Sequence, residues 1–271
     1  MQYLELLNKY LPLARKKGLE EEAVKLIVCE LSNMNITEIY MHYSDTIPSK
    51  CEKKIISAIE KYLTYYPAQY ILGYTYFYGL KLMVNEDVLI PRFDTEVVVE
   101  EVLKVTKFYH NPKILDVCSG SGAIAIALAK NGCSSVSGLD ISKKALKVAK
   151  ENAALHKVKI HFFESDLLRN VKEKYDILVS NPPYIALDSK NVDKIVLDNE
   201  PHIALFGGKD GLDFYRFILK EAKDVLNPGG TIIFEIPFDK SKEIKEIALN
   251  YYKNVYIQKD YANNDRVMII S

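Results

Sequence analysis

Hydrophobic positions follow different rules in different parts of this chain. Residues 1–72 lack strand alternation and read as helices over about 2–16, 20–31 and 50–65. In the third of these, Cys51, Ile55, Ile59 and Leu63 recur every four residues and form one apolar face. Gly18, Asn33, Pro48 and Pro67 punctuate the helices. Residues 74–90 alternate instead and contain Asn85-Glu86 as a turn, which predicts a β-hairpin. From Pro91 onward strand-like and helix-like runs alternate, predicting a parallel sheet covered on both faces. Helices are expected over 142–155 and 212–226, and a last strand over 266–270.

Within that second part, residues 113–118 have the length and β-branched content of a buried parallel strand. The run breaks at Ser119-Gly120-Ser121-Gly122 and resumes as a small-residue helix over 123–130. A strand, a Gly-rich turn and a helix bring backbone close to a nucleotide-like ligand at the carboxyl edge of a sheet. The next strand ends in Asp140, about 20 residues past the turn, where a carboxylate can accept hydrogen bonds from ribose hydroxyls. The turn carries neither the full dinucleotide fingerprint nor a phosphate-binding lysine. A cradle without an anion hook suits a nucleoside with no pyrophosphate, such as S-adenosylmethionine. Taken alone, these features equally suit a tight turn and an exposed aspartate in any parallel sheet.

Asn181-Pro182-Pro183-Tyr184 changes the balance. It follows the apolar run 175–180, and two prolines there must leave the sheet in an extended, stiff conformation. The Asn181 side chain and the Pro182 carbonyl are then two acceptors preset for one NH2 group, with Tyr184 offering an aromatic face. An amide nitrogen is a poor nucleophile because its lone pair is delocalised. Gripping both N–H groups in a water-poor pocket turns that lone pair toward a methyl donor, and positioning of this kind lowers a barrier by up to roughly 7–11 kcal/mol.

Composition narrows the acceptor. The chain has 271 residues with 48% apolar content, enough for two cores, and its formal net charge is zero. The first 80 residues hold nine Lys or Arg and nine Asp or Glu. An enzyme acting on DNA or RNA is expected to carry a basic stripe, so neutrality favours a protein substrate. Arg15-Lys16-Lys17 is answered at once by Glu20-Glu21-Glu22. The four cysteines have no close pair or metal spacing, and the five histidines are scattered, so no metal is expected. Cys29 and Cys51 read as core residues. With neither a signal-peptide pattern nor a bilayer-length apolar stretch, a reduced cytoplasmic protein is expected.

At many places at once the chain resembles the peptide-chain release factor glutamine methyltransferases, the HemK-type family. The matching stretches are 67–73, Phe77-Tyr78-Gly79-Leu80, Val84-Asn85, 88–92 and Asp94-Thr95-Glu96. Downstream they are Glu200-Pro201, Ala204-Leu205, Gly207-Gly208, Asp210-Gly211-Leu212, Tyr215-Arg216, Pro228-Gly229-Gly230, Phe234-Glu235-Ile236 and Asp265-Arg266-Val267. Asn-Pro-Pro-Tyr alone is shared with DNA and RNA methyltransferases. The 67–92 and 200–216 blocks are more specific.

The resemblance implies an α/β fold: a Rossmann-like class I S-adenosylmethionine-dependent methyltransferase domain over 91–271, joined by a β-hairpin over 74–90 to a small all-helical domain over 1–73. That small domain would bind the release factor, or else only buttress the catalytic domain. It further implies an antiparallel last strand. The donor would be held by Cys118, Ser119, Gly120, Ser121, Gly122, Asp140, Asp166, Leu167 and Asn181. Asn181, Pro182, Pro183 and Tyr184 would hold the acceptor, with Asn181, Pro182 and Tyr184 as the catalytic groups. The implied acceptor is the glutamine of Gly-Gly-Gln in class-I release factors, with no stable nucleic-acid partner, no membrane and a monomeric enzyme.

Four positions depart from the family pattern. Cys118 stands for a glycine, Phe93-Asp94 for Pro-Glu, and Pro237 for a glycine. Glu200 and Glu235 are expected to order the pocket or the loops around it, with Arg92 pairing with one of them. Two alternatives stay open: an adenine-N6 or guanine-N2 nucleic-acid methyltransferase, and a donor-binding protein without activity.

Overall fold

The computed structural model describes every residue except Asn191. The chain divides into two compact units, residues 1–74 with 192–199, and residues 75–191 with 200–271.

The first unit is helical: α1 (Tyr3–Lys16), α2 (Glu21–Ser32), α3 (Ile36–Met41), α4 (Ser49–Tyr62) and α5 (Ala68–Leu72). Its core gathers Leu6, Leu7 and Tyr10 of α1, Val24, Ile27 and Val28 of α2, and Ile55 and Ile59 of α4. Ile55 and Ile59 belong to the four-residue repeat seen in the sequence. Cys29 and Cys51 pack against this core from partly buried positions. The two short helices α3 and α5 escape a periodicity reading because six and five residues are less than two turns. Asn35 starts α3 through a reciprocal capping box with Glu38.

The hairpin pairs β1 (Tyr74–Phe77) with β2 (Leu80–Met83). Its turn is Tyr78-Gly79 and not Asn85-Glu86. Both turn residues have positive φ, 50° and 71°, as a two-residue turn matching strand twist requires. Asn85 opens a separate turn, its Oδ1 accepting from Asp87 N at 3.0 Å and its carbonyl from Val88 N at 3.2 Å.

The rest of the second unit runs α6 (Glu96–Thr106), β3 (Lys113–Val117), α7 (Ala123–Lys130), β4 (Ser135–Asp140), α8 (Lys143–Leu155), β5 (His161–Glu164) and β6 (Tyr175–Ser180). After α9 (Lys194–Asn199), which belongs to the first unit, come α10 (Asp213–Val225), β7 (Leu226–Glu235), α11 (Ser241–Leu249), β8 (Val255–Lys259) and β9 (Asp265–Ile270). The seven-stranded sheet has the order β5-β4-β3-β6-β7-β9-β8. β9 pairs antiparallel with both β7 and β8, while the ladders joining β5, β4, β3, β6 and β7 are parallel.

Alternate residues of the central strands face opposite cores. Ile114, Ile177, Val179 and Ile233 enter the cluster under α6, α7 and α8. Leu115, Val117, Leu178, Ile232 and Phe234 enter the one under α10 and α11. Burial on both faces explains why these strands read as continuous apolar runs. Helix α7, apolar up to its closing Lys130, is likewise buried all round from Ala123 to Leu128.

Candidate functional site

The site assembles where parallel strands end together. Val117 of β3 pairs with Ser180 of β6 on one side and Leu139 of β4 on the other. Cys118, Asn181 and Asp140 therefore leave three adjacent strands at one level. The β3–β4 and β3–β6 ladders place the carboxyl edge there, where open α/β sheets bind ligands. A pocket at this edge is lined by Cys118, Gly120, Asp140, Asp166, Leu167, Asn181 and Pro183 among the expected site residues. Asp87, Val88 and Leu89 wall it from the segment after the hairpin, and Ile203, Ala204 and Phe214 from the chain after α9.

Asp140 is anchored by backbone. Its Oδ2 accepts from Gly120 N at 2.9 Å and its Oδ1 from Ser142 N at 2.8 Å. Burial raises its pKa, opposed by the amides of Ser142, Gly120 and Ile141. Each oxygen keeps lone-pair capacity toward the pocket. Gly120 has φ +53°, and a β-carbon built there meets no atom within 4 Å, so the turn leaves open space on its pocket side. Open space over glycine backbone, beside an anchored carboxylate and with no lysine in the lining, fits an S-adenosyl nucleoside.

The remaining turn residues support this wall from behind. Ser119 is buried and its Oγ donates to Asp116 Oδ2 at 2.5 Å. Ser121 is buried and its carbonyl accepts from Asn152 Nδ2 at 3.0 Å. Gly122 opens α7 with φ +80°. None of the three lines the pocket. Asn152 is a group that sequence reasoning missed. It is fully buried and also accepts from Met83 N at 2.7 Å, tying β2 to the turn after β3. An asparagine on a helix carries no signal of that role, since the polar residue reads as solvent-facing.

Asp116 was missed as well. It lies inside the strand run, its Oδ1 has no hydrogen-bond partner, and burial pushes its pKa up to about 7 despite the Ser119 hydroxyl. Asp166 lines the pocket while its carboxylate also pairs with Arg169. Leu167 sits beside it with φ +49°.

Cys118 explains one departure. Its φ is +62°, the left-handed region where glycine is usual. Burial, then the charges of Asp140 and Asp116, push its thiol far above the ordinary range, so it stays neutral and is no nucleophile. Pro237 costs nothing in the sheet, because Ile236 N makes the last contact with β9, to Arg266 O at 2.8 Å. Phe93 is exposed with its ring 6.1 Å from that of Tyr261, and Asp94 pairs with Arg266 at 3.1 Å.

The loop from Asn181 to Tyr184 is braced by the Gly-rich segment before α10. Ile185 N donates to Leu205 O and Gly207 N to Ile185 O, both at 2.9 Å. A β-carbon on Gly207 would lie 2.4 Å from Pro183 O, and one on Gly211 would lie 2.2 Å from Tyr184 O. Only glycine lets these backbones meet. Asn181 Nδ2 donates to Thr95 Oγ1 at 3.3 Å. Pro182 is buried. Tyr184 does not line the pocket; it packs on the α10–α11 side of the sheet with its hydroxyl 3.5 Å from Glu235 Oε1. Glu200 is buried, accepts from Ile90 N at 3.0 Å and pairs with Arg92, so it orders the segment before α6. Among the described residues there is no His, Cys, Asp and Glu grouping fit to hold a metal ion, and no helix long and apolar enough to cross a membrane.

The chain is similar to known proteins along its length. Residues 93–204 match the methyltransferase small domain and residues 5–73 the PrmC N-terminal domain. A release factor glutamine methyltransferase from Streptococcus pneumoniae is 39% identical, over 94% of this chain and 93% of its own length. One from Thermodesulfovibrio yellowstonii is 38% identical, over 98% of both chains. Among solved structures, a methyltransferase from Pyrococcus furiosus superposes with a TM-score of 0.53 at 20% identity, covering 82% of this chain and 98% of its own, which shows a shared fold. With such identity sustained along nearly the whole length of both relatives, the chain belongs to the release factor glutamine methyltransferase family.

Proposed function

We propose that this protein transfers a methyl group from S-adenosylmethionine to the side-chain amide nitrogen of the glutamine in the Gly-Gly-Gln motif of class-I peptide chain release factors. The observation that carries the reading is the pairing of Val117 with both Ser180 and Leu139, which sets the donor turn, Asp140 and the acceptor loop side by side. Family membership supports the substrate.

The donor, when bound, supplies an electrophilic methyl group on a sulfonium. Asp140 would accept from the ribose hydroxyls, Cys118 and Gly120 would let the donor lie against backbone, and Asp166 and Leu167 would hold its base. Asn181 Oδ1 and the Pro182 carbonyl accept the two N–H bonds of the glutamine amide, so that its nitrogen lone pair faces the methyl group. Apolar walls exclude water that would compete for those acceptors. The methylated nitrogen then loses a proton readily, and no strong base is needed. Tyr184 acts from behind the loop, as a support for Pro182 and Pro183.

The helical unit is assigned the binding of the release factor, and the enzyme is read as a cytoplasmic monomer without a stable nucleic-acid partner. The test is incubation with methyl-labelled S-adenosylmethionine and a purified class-I release factor, followed by peptide mass spectrometry. Label on the Gly-Gly-Gln glutamine, lost in Asn181→Ala, is the expected result. Transfer to DNA or RNA instead would favour the nucleic-acid reading.

A further inference from the structure

The side chain of Asn152, on α8, reaches the backbone behind two walls of the pocket and lines neither. It is 0% exposed. Its Oδ1 accepts from Met83 N at 2.7 Å, and its Nδ2 donates to Met83 O and to Ser121 O, each at 3.0 Å. A carboxamide carries one oxygen and two N–H groups, so both of its protons are used on backbone carbonyls. Toward Met83 it behaves as a neighbouring strand would, meeting both the N–H and the C=O of the last residue of β2. Reversing the carboxamide would set its oxygen against two carbonyls, so the three bonds also fix its orientation.

Both ends of this bridge lead into the pocket. Ser121 follows Gly120, which lines the pocket and gives its N–H to Asp140 at 2.9 Å. Met83 precedes the segment 84–89, from which Asp87, Val88 and Leu89 line the pocket as well. That segment forms no strand or helix. Buried side chains hold its two ends: Asn152 at Met83, and Glu200, whose Oε2 accepts from Ile90 N at 3.0 Å. Lys144 and His156 of α8 also touch this stretch, through Asp87 at 3.2 Å and Lys81 O at 2.7 Å. Those contacts are exposed, where water competes and little is gained. Asn152 is the strong tie, because breaking it leaves buried backbone groups unpaired.

We propose that Asn152 is a positioning residue for donor binding, one that locks the 84–89 wall to the glycine-rich turn so that both stand in place before the donor arrives. It touches no reacting atom and acts through Met83 and Ser121. The proposal rests on the reading of this pocket as the donor site and deepens it: walls ordered in advance need not be ordered by the ligand.

The test measures S-adenosylhomocysteine affinity by calorimetry, with donor KM and kcat on a class-I release factor, for Asn152→Ala and Asn152→Asp. The aspartate keeps an acceptor for Met83 N and, as a carboxylate, gives up both donations. Each variant is expected to bind S-adenosylhomocysteine about tenfold more weakly, the order of effect that an unpaired buried backbone group produces. Donor KM should rise in step, while kcat at saturating donor stays within about twofold of wild type. A lower melting temperature with wild-type affinity and KM would make the role purely structural and overturn the proposal. A fall in kcat with donor KM unchanged would overturn it too, by placing the effect at the acceptor. If neither variant folds, hydrogen exchange on the wild-type protein decides. In the free protein the Met83 amide should exchange as slowly as those of the central strands, and S-adenosylhomocysteine should add little. Fast exchange that slows only on binding means that the wall forms around the donor, which refutes the lock. Asp140→Ala in the same calorimetry separates the two levels. Wild-type affinity there sinks the donor-site reading, whereas lost affinity beside normal Asn152 variants sinks only the role of Asn152.

Discussion

Asp116 and Glu235 are buried carboxyls whose pKa values burial pushes up to about 7. A carboxyl raised in the folded state binds its proton more tightly there than in the unfolded chain. Its burial therefore costs nothing below the unfolded value near 4 and costs progressively more as pH rises toward 7. Asp116→Asn removes that titration. The stability of the variant relative to wild type should thus be more favourable at pH 8 than at pH 5, and thermal melts at the two values check it. A constant difference would mean that Asp116 does not titrate in that window. Donor and acceptor roles separate at the same scale. Asn181→Ala should lower kcat by about a hundredfold or more, the size of effect that misplacement of a reacting group produces. Its donor affinity should hold. Asp140→Ala should weaken the donor instead, measurable by calorimetry, and an unchanged affinity would remove the ribose assignment. These roles were partly legible: Asp140 and Asn181 end apolar runs, and a polar residue at a strand end signals a site. Asp116, Asn152 and Thr95 gave no such signal, because a polar side chain inside a strand or helix looks alike whether it faces solvent or a neighbour's backbone.

At the scale of elements, the acceptor loop depends on a second loop beneath it. Gly207 and Gly211 approach Pro183 O and Tyr184 O so closely that a methyl group must displace backbone. Gly211 also has φ +80°, which adds strain for any other residue. Gly211→Ala is therefore expected to cut turnover sharply while donor affinity, which we propose rests on the β3 turn and Asp140, stays near wild type. Parallel loss of both would mean that the second unit had unfolded, and a melt distinguishes that outcome. Arg216 clamps the same segment through both oxygens of Asp210, whose pKa its charge-assisted contact lowers to about 2. The Gly-rich 207–212 block was visible in the sequence, but its purpose depended on which backbone it meets, a contact that no spacing encodes. The hairpin turn failed for a related reason. Asn85-Glu86 has turn chemistry and does turn, while the strand pairing closes at Tyr78-Gly79, where Gly79 and a tyrosine accept positive φ.

At the scale of the whole molecule, all residues lining the donor pocket belong to the second unit. A chain lacking residues 1–73 is accordingly expected to keep its donor affinity while kcat/KM on a release factor falls. If that efficiency is retained, the helical unit does not recognise the substrate. Short α9 is the complication, since Val192–Asn199 packs with the first unit although the sequence on either side belongs to the second. Ile195 rests on the first unit's core and Asn199 donates to Tyr65 O at 2.9 Å. Charge is balanced overall, and that neutrality favours a protein acceptor over a polyanion.

The sequence by itself determined the class: apolar runs of strand length, glycines at the donor turn, an aspartate closing the next strand and two prolines forcing Asn181 out of the sheet. These are local constraints on backbone, written in consecutive residues. What only the tertiary structure decided is how distant groups meet. The β3–β6 and β3–β4 registers bring the Gly-rich turn and the Asn181 loop together, Asn152 bridges β2 to Ser121, and α9 returns to the first unit. Each depends on side chains or backbones tens of residues apart coming within a few ångströms, and pairing of that kind is set by packing of the whole sheet.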